Sequence, residues 1–462
     1  MRKQLYLIAM LAAGSLLLSG CGGGSSSSGA SETTTTTAST GATTTTATAT
    51  TTTQAATTTT TAATTTTTAA TTTSTAATTT TTAATTTTTA TTTTTTVANT
   101  VAVVVDSGPA AVVANGGAVN QPFVTVTICS TTSPTTCQNI DHILLDTGSY
   151  GLRIISSVLS PSLALTQKTD SSGNAIAECT MFADGYSWGP IKLANLQIGG
   201  EATNGLAIQV IGDSNYSTVP SLCSSTGGTS ENTVATFGSN GVLGVGPFAQ
   251  DCGSGCATNA NYDVYYSCAT STTCTPTTMS LTDQVQNPVS LFATDNNGVI
   301  LSLAAASTGA TTDSGTLIFG IGTQSNNALG SATIYAVDTN YGYITTTYKG
   351  TSLPDSFLDS GSNGLFFTDS TITQCSDGSG FYCPTPTLSL SATNTGHNSN
   401  SGTVSFSIGN ADNYFTSYPS SAVYGSLGGI NGDSASFDWG LPFFFGRKVY
   451  TAINGNTPYF AY

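Results

Sequence analysis

The sequence predicts an all-β domain behind an exported leader, and three observations carry that expectation. Apolar runs are short and bounded by turn residues, helical periodicity is nearly absent, and one acidic turn occurs twice in matching settings. Runs such as FVTVTICS, HILLDTG, LAIQVIG, VILSLAAA, GTLIFGI, ATIYAV, YITTTY, VSFSIGN and VYTAING read as strands closed off by turn residues. One short helix is expected within SLTDQVQNPVSLFA, interrupted at Pro288.

The 462 residues do not all have the composition of a folded domain. Residues 1–20 read as a secretory signal: Arg2 and Lys3, an apolar run to Leu18, then small residues. Leu18-Ser19-Gly20-Cys21 resembles a bacterial lipobox, which implies lipidation of Cys21 and anchorage in the bacterial cell envelope, with the outer membrane preferred. From Cys21 to residue 96 the composition falls to Gly and Ser and then to Thr and Ala blocks. Such a stretch buries too little apolar surface to offset its ordering entropy, so it is expected to act as a stalk.

About 360 residues remain, too many for a comfortable single core, and two β lobes are expected, over 97–312 and 313–462. The full chain carries a net charge of −15, which argues against nucleic-acid binding, where a basic footprint is needed. Eleven cysteines are present, and setting Cys21 aside leaves an even set, which in an exported chain suggests disulfides. Short-range pairs Cys129–Cys137, Cys252–Cys256, Cys268–Cys274 and Cys375–Cys383 would staple loops and leave Cys179–Cys223; spacing does not establish that connectivity. Zinc is the competing use of these thiols, but no paired C-x-x-C occurs and only two histidines are present, so no metal is expected. Those two, His142 and His397, also make a Ser–His–Asp triad a poor expectation. The segments 212–237 and 250–278 are expected to be surface insertions.

The repeated turn is the candidate site. HILLDTGSYGLRI (142–154) and SFLDSGSNGLFF (356–367) each run from apolar residues into Asp, a hydroxyl residue, Gly and a second hydroxyl residue, then back to apolar residues. A carboxylate at the end of an apolar strand is costly to bury alone. Two that meet, Asp146 and Asp359, resolve the cost by sharing a proton, and their pKa values split. Such a pair can take a proton from water and give one to a carbonyl or a leaving nitrogen, with no cofactor. Gly148 and Gly361 would permit close approach, Thr147 and Ser360 would lock the turns together, and Ser149 and Ser362 would donate to the carboxylates. Arg153 is open to two expectations, an exposed strand residue or a partner for a nearby carboxylate.

These residues resemble the pepsin-like aspartic peptidases, which carry one D-[ST]-G-[ST] turn in each β-rich lobe with a cleft between. Four further stretches agree in order: MFADGYSWGPIKLANLQIGG with the flap hairpin, GSNGVLGVGP with the segment backing the first turn, SGTLIFGI with the strand passing between lobes, and FDWGLPFFFGRKVYTAI with the late apolar-Gly segment. The resemblance implies an all-β, bilobal pepsin-like fold with an interlobe cleft and catalysis by Asp146 and Asp359. It places Phe182, Gly185 and Tyr186 on the flap. Together with the lipobox, it implies a membrane-anchored aspartic endopeptidase, expected to be a monomer, that takes an extended peptide or protein substrate. The alternative is the same fold kept as a catalytically weak or inactive binding module. Phe182 stands where the family offers a Tyr, with Tyr186 as a substitute. Tyr150 replaces a small hydroxyl residue, Leu441-Pro442 replaces an acidic residue after Gly440, and the region 21–96 lacks the basic residues of a charged prosegment.

Overall fold

The computed structural model describes residues 98–225, 228–453 and 457–462. The expected signal over 1–20, the lipidation site Cys21 and the stalk over 21–96 lie outside the described residues. Within them the chain is all-β, as its patterning predicts. Alternation in Pro122–Ser130 buries Val124, Val126 and Ile128 and exposes Thr125, the period of a strand with one face on a core. The expected helix around Pro288 is a single 3-10 turn, Pro288–Leu291. Proline opens it at the position where a missing N–H costs nothing, and the Asn287 side chain accepts from Val289 N.

Among the described residues seventeen strands join in one sheet system and seven in a second. The larger system draws on both ends of the described residues. Asp313–Phe319 pairs with Thr100–Val105 and with Gly298–Leu303, and the latter pairs with Lys448–Ala452. The smaller system is built from residues 344–439.

Around the two acidic turns the systems repeat one local arrangement. Cys137–Asp146 enters the first turn, Tyr150–Ile155 leaves it, and Gly241–Val245 lies between them, parallel to the first strand and antiparallel to the second. Thr351–Leu358 enters the second turn, Leu365–Phe366 leaves it, and Asp438–Trp439 lies between them in the same senses. Glycine is required at the two crossings: a Cβ on Gly244 would come within 2.4 Å of Tyr150 N, and one on Gly440 within 2.1 Å of Gly364 O. The duplicated letters of the sequence therefore correspond to duplicated backbone.

The core beneath the second turn is aromatic. Phe437 stacks on Trp439 at 4.1 Å and on Phe367 at 4.6 Å. Trp439 is fully buried, and its Nε1 donates to Thr346 Oγ1 at 3.0 Å, so burial leaves no orphan donor.

All five expected disulfides form: Cys129–Cys137, Cys179–Cys223, Cys252–Cys256, Cys268–Cys274 and Cys375–Cys383. The two segments expected as surface insertions instead hold the hairpin of Ala175–Met181 and Gly185–Ile198. Tyr265–Thr270 pairs with Ala175–Met181, and Thr229–Ser230 pairs with Gly185 and Tyr186. The physical reason is burial: Tyr265, Tyr266 and Cys223 are inside, so these Cys-rich segments carry core of their own.

Candidate active site

The two turns face each other. Thr147 Oγ1 donates to Leu358 O at 3.1 Å and accepts from Ser360 N at 2.9 Å. Ser360 Oγ donates to Leu145 O at 2.7 Å and accepts from Thr147 N at 3.0 Å. This reciprocal set ties the backbone of each turn to the hydroxyl of the other, the role expected of Thr147 and Ser360.

The lock brings the carboxyl groups of Asp146 and Asp359 together. An added Cβ on Gly148 would lie 2.7 Å from Asp359 Cγ, and one on Gly361 would lie 2.8 Å from Asp146 Oδ1. Gly148 N donates to Asp146 Oδ1 and Gly361 N to Asp359 Oδ1, each at 2.7 Å. Ser362 Oγ donates to Asp359 Oδ2 at 2.8 Å. Ser149 departs from the symmetry. Its hydroxyl is buried beside Asp146 and helps hold that carboxyl down, yet it reaches no partner in hydrogen-bond geometry.

Asp146 Oδ2 meets no N–H or O–H in hydrogen-bond geometry, and the carboxyl group lies against that of Asp359, so a hydrogen bond between the two groups needs a proton on one of them. Burial raises the Asp146 carboxyl above its ordinary value, offset in part by Asp359, by the neighbouring Ser149 hydroxyl, by the Gly148 N–H and by the charge of Arg153. Asp359 is raised well above the ordinary carboxylate value, by burial first, then by the charges of Asp146 and Asp438. Both carboxyls are thus raised by burial, Asp359 the more strongly, and they titrate together as a pair.

Three groups around the pair were not singled out in the sequence or were left open there. Arg153 is fully buried, which removes the exposed alternative. Its guanidinium donates to Thr180 Oγ1 (2.9 Å), Tyr150 O (2.6 Å), Glu178 Oε1 (2.6 Å) and Asp251 Oδ2 (3.0 Å). Asp438 is fully buried beside the second turn. Asn120 adopts a left-handed φ of 49°. Its amide donates to Asn363 O and Tyr424 O, and its Oδ1 accepts from Tyr424 N, which stitches the segment before Pro122–Ser130 to the residue after Ser362. An Asn is a legible signal for left-handed backbone, but its partners 243 and 304 residues away are not.

The flap residues diverge. Phe182 is buried against Phe237, with ring centroids 5.4 Å apart, and Tyr186 packs in another cluster with Trp188 and the Cys179–Cys223 bridge. Among the described interactions no hydrogen bond joins the Tyr186 hydroxyl to either Asp. Gly185 is constrained, since a Cβ there would lie 2.5 Å from Thr229 O.

A cavity of about 560 Å3 adjoins the first turn, lined by Thr147, Gly148, Thr180 and Met181 from one half and by Tyr341 and Phe357 from the other. The carboxyls of Asp146 and Asp359 themselves have no accessible surface. Of the ten cysteine sulfurs in bridges, Cys375 and Cys383 lie near Asp412, but as a disulfide they are not metal donors.

No curated protein matches the chain. Solved structures do, among them the crystal structure of an aspartic proteinase from Irpex lacteus, at 15% identity and a TM-score of 0.43, covering 79% of this chain and 96% of that one. Residues 95–462 match the family described as "Protein of unknown function (DUF3443)", and the chain belongs to that family.

Proposed function

We propose that the protein is an aspartic endopeptidase, with Asp146 as the base that activates water and Asp359 as the acid that protonates the carbonyl oxygen. The observation that carries this is the pair itself: two buried carboxyls from interlocked turns, both raised by burial and Asp359 well above the ordinary carboxylate value. Water bound between them loses a proton to Asp146 as its oxygen attacks the peptide carbon. The Asp359 proton goes to the carbonyl oxygen, and collapse of the tetrahedral species returns a proton to the leaving nitrogen. An extended peptide laid in the cavity beside Gly148 would pair through its backbone, as strands do. Lipid anchorage through Cys21 would hold the domain at the bacterial envelope, with the 21–96 stalk as spacer and a monomer as the working unit.

Full burial of both carboxyls favours a second reading, a binding module that keeps the fold without turnover. Incubating the full mature chain with an unfolded protein from acidic to neutral pH, beside D146N and D359N, separates the two. Cleavage lost in either variant supports the peptidase; no cleavage at any pH by the disulfide-bonded protein supports the module. Radiolabelled fatty-acid incorporation that disappears in C21S tests the anchor.

A further inference from the structure

We propose that the cavity beside Arg447 is a second binding site, for a monocarboxylate that carries an apolar or aromatic group. It lies apart from the acid pair, and its occupation does not depend on turnover.

The cavity measures about 340 Å3, at the small end of the range for ligand sites, roughly 300–1,000 Å3. It sits between the strand Ser401–Ile408, the short helix Leu441–Phe444 and the segment that follows Gly298–Leu303. Ala306, Val404, Phe406, Pro442 and Phe445 give it apolar walls. No residue lines both this cavity and the one beside Gly148.

Among the described residues Arg447 is the one charged group on its wall. Backbone bonds fix its place: Arg447 N donates to Phe444 O at 3.1 Å, and Leu303 N donates to Arg447 O at 3.3 Å. The side chain turns back over the helix. Its Nη1 donates to Phe443 O, and its Cζ lies 4.7 Å from the centroid of the Phe443 ring, which also lines the cavity. A guanidinium offers several N–H donors in a planar fork, and that carbonyl is the one acceptor its side chain meets among the described residues.

The missing counter-ion is what points to an anion. The chain has 23 acidic residues against 8 basic ones. Arg153, Lys168, Lys192 and Lys349 each reach a carboxylate within 3.0 Å. Lys448 reaches none among the described residues, but it is exposed and water solvates it. Arg447 is half-buried, and no carboxylate of the described residues pairs with it. Burial pulls its guanidinium below the ordinary value, the direction for a cation shut away from water without a counter-ion. An incoming anion would remove that penalty.

Charge and shape narrow the ligand. One guanidinium supplies a single positive charge and a fork that matches a carboxylate. No second Lys, Arg or His lines the cavity to balance a phosphate dianion. The apolar walls favour a ligand that brings a hydrocarbon or aromatic group out of water. Two sources share this chemistry: a free organic acid, and the C-terminal residue of a peptide.

Equilibrium dialysis of the disulfide-bonded full mature chain at neutral pH tests the site. The probes are 3-phenylpropionate and N-acetylphenylalanine, each beside its uncharged amide, and inorganic phosphate. At least one of the acids is expected to bind about tenfold more tightly than its amide, the size of one charge-assisted pair, and R447M is expected to abolish that difference. Tighter binding of N-acetylphenylalanine assigns the site to peptide ends, and equal or tighter binding of 3-phenylpropionate assigns it to organic acids; either supports the proposal. Absence of binding by both acids, equal binding of acid and amide, phosphate binding tighter than either acid, or a preference for acid that survives in R447M overturns it. The comparison of acid with amide is made on the wild-type protein, so it decides the matter even if R447M fails to fold.

Discussion

Replacing Arg153 by Met tests whether the wall of the site is held by buried charge. The side chain is fully inside and donates four hydrogen bonds, two of them to the Glu178 and Asp251 carboxyls at 2.6 and 3.0 Å. Asp251 is raised well above the ordinary carboxylate value, by burial and then by the charge of Glu178, so the two carboxyls do not both ionise readily beside one guanidinium. The single Arg153 guanidinium therefore balances one carboxylate shared between Glu178 and Asp251. Methionine fills similar volume without charge and leaves that carboxylate buried and bare. Breaking a buried pair from one side costs about 3–5 kcal/mol. The loss must depend on pH in a definite sense. Under acid the variant folds with the carboxyl protonated at small cost. Above the unfolded carboxylate range, folding has to take up a proton, and the deficit grows by as much as about 1.4 kcal/mol per pH unit until burying the bare charge becomes cheaper. Urea unfolding at pH 4 and pH 7, followed by the fluorescence of the buried Trp188 and Trp439, reads both quantities. The triple variant R153M/E178Q/D251N, which removes every charge together, is expected to recover most of the stability lost at pH 7. A loss under about 1 kcal/mol in R153M, or the same loss at both pH values, would refute the reasoning.

Other consequences follow from the same geometry. T147V removes the hydroxyl that serves both Leu358 O and Ser360 N, and each orphaned buried group costs about 1–3 kcal/mol; T147S should restore the stability, and equal stability of T147V and wild type in urea would count against the lock. Glu231, 2% exposed at the hairpin tip, is pushed up to about 10 by burial and then by the charge of Asp184. A folded-state value above the unfolded one means its contribution is whole below about pH 4.5 and is lost as pH rises toward 10. E231Q is therefore expected to melt like wild type near pH 4 and at higher temperature than wild type at pH 8; parallel Tm curves would show that Glu231 titrates normally.

Much of this protein could be read before any coordinates. Strand periodicity, the two D-[ST]-G turns and the even cysteine set are local or countable features, and local features survive into the fold because backbone sterics and burial act on neighbours in sequence. Thr147, Ser360 and Ser362 make the bonds that their types and positions suggest. What resisted was any role set by a partner remote in sequence. Arg153 could be an exposed strand residue until the Glu178 strand and the Asp251 loop close over it. Phe182 and Tyr186 are four residues apart in sequence but enter different clusters, because the segments 212–237 and 250–278 cover the hairpin.

Asp438 shows the division most sharply. Its segment, FDWG, is legible as an apolar strand with one odd acid, and nothing in the letters tells a surface aspartate from a buried one. Composition and periodicity alone determined that this chain would be all-β, disulfide-bonded and equipped with two acidic turns. Only the tertiary structure decided how the two turns interlock and which further acid is buried beside them. Those properties depend on desolvation and on Coulomb interactions over a few ångströms, and such distances exist only once strands from opposite ends of the sequence have paired.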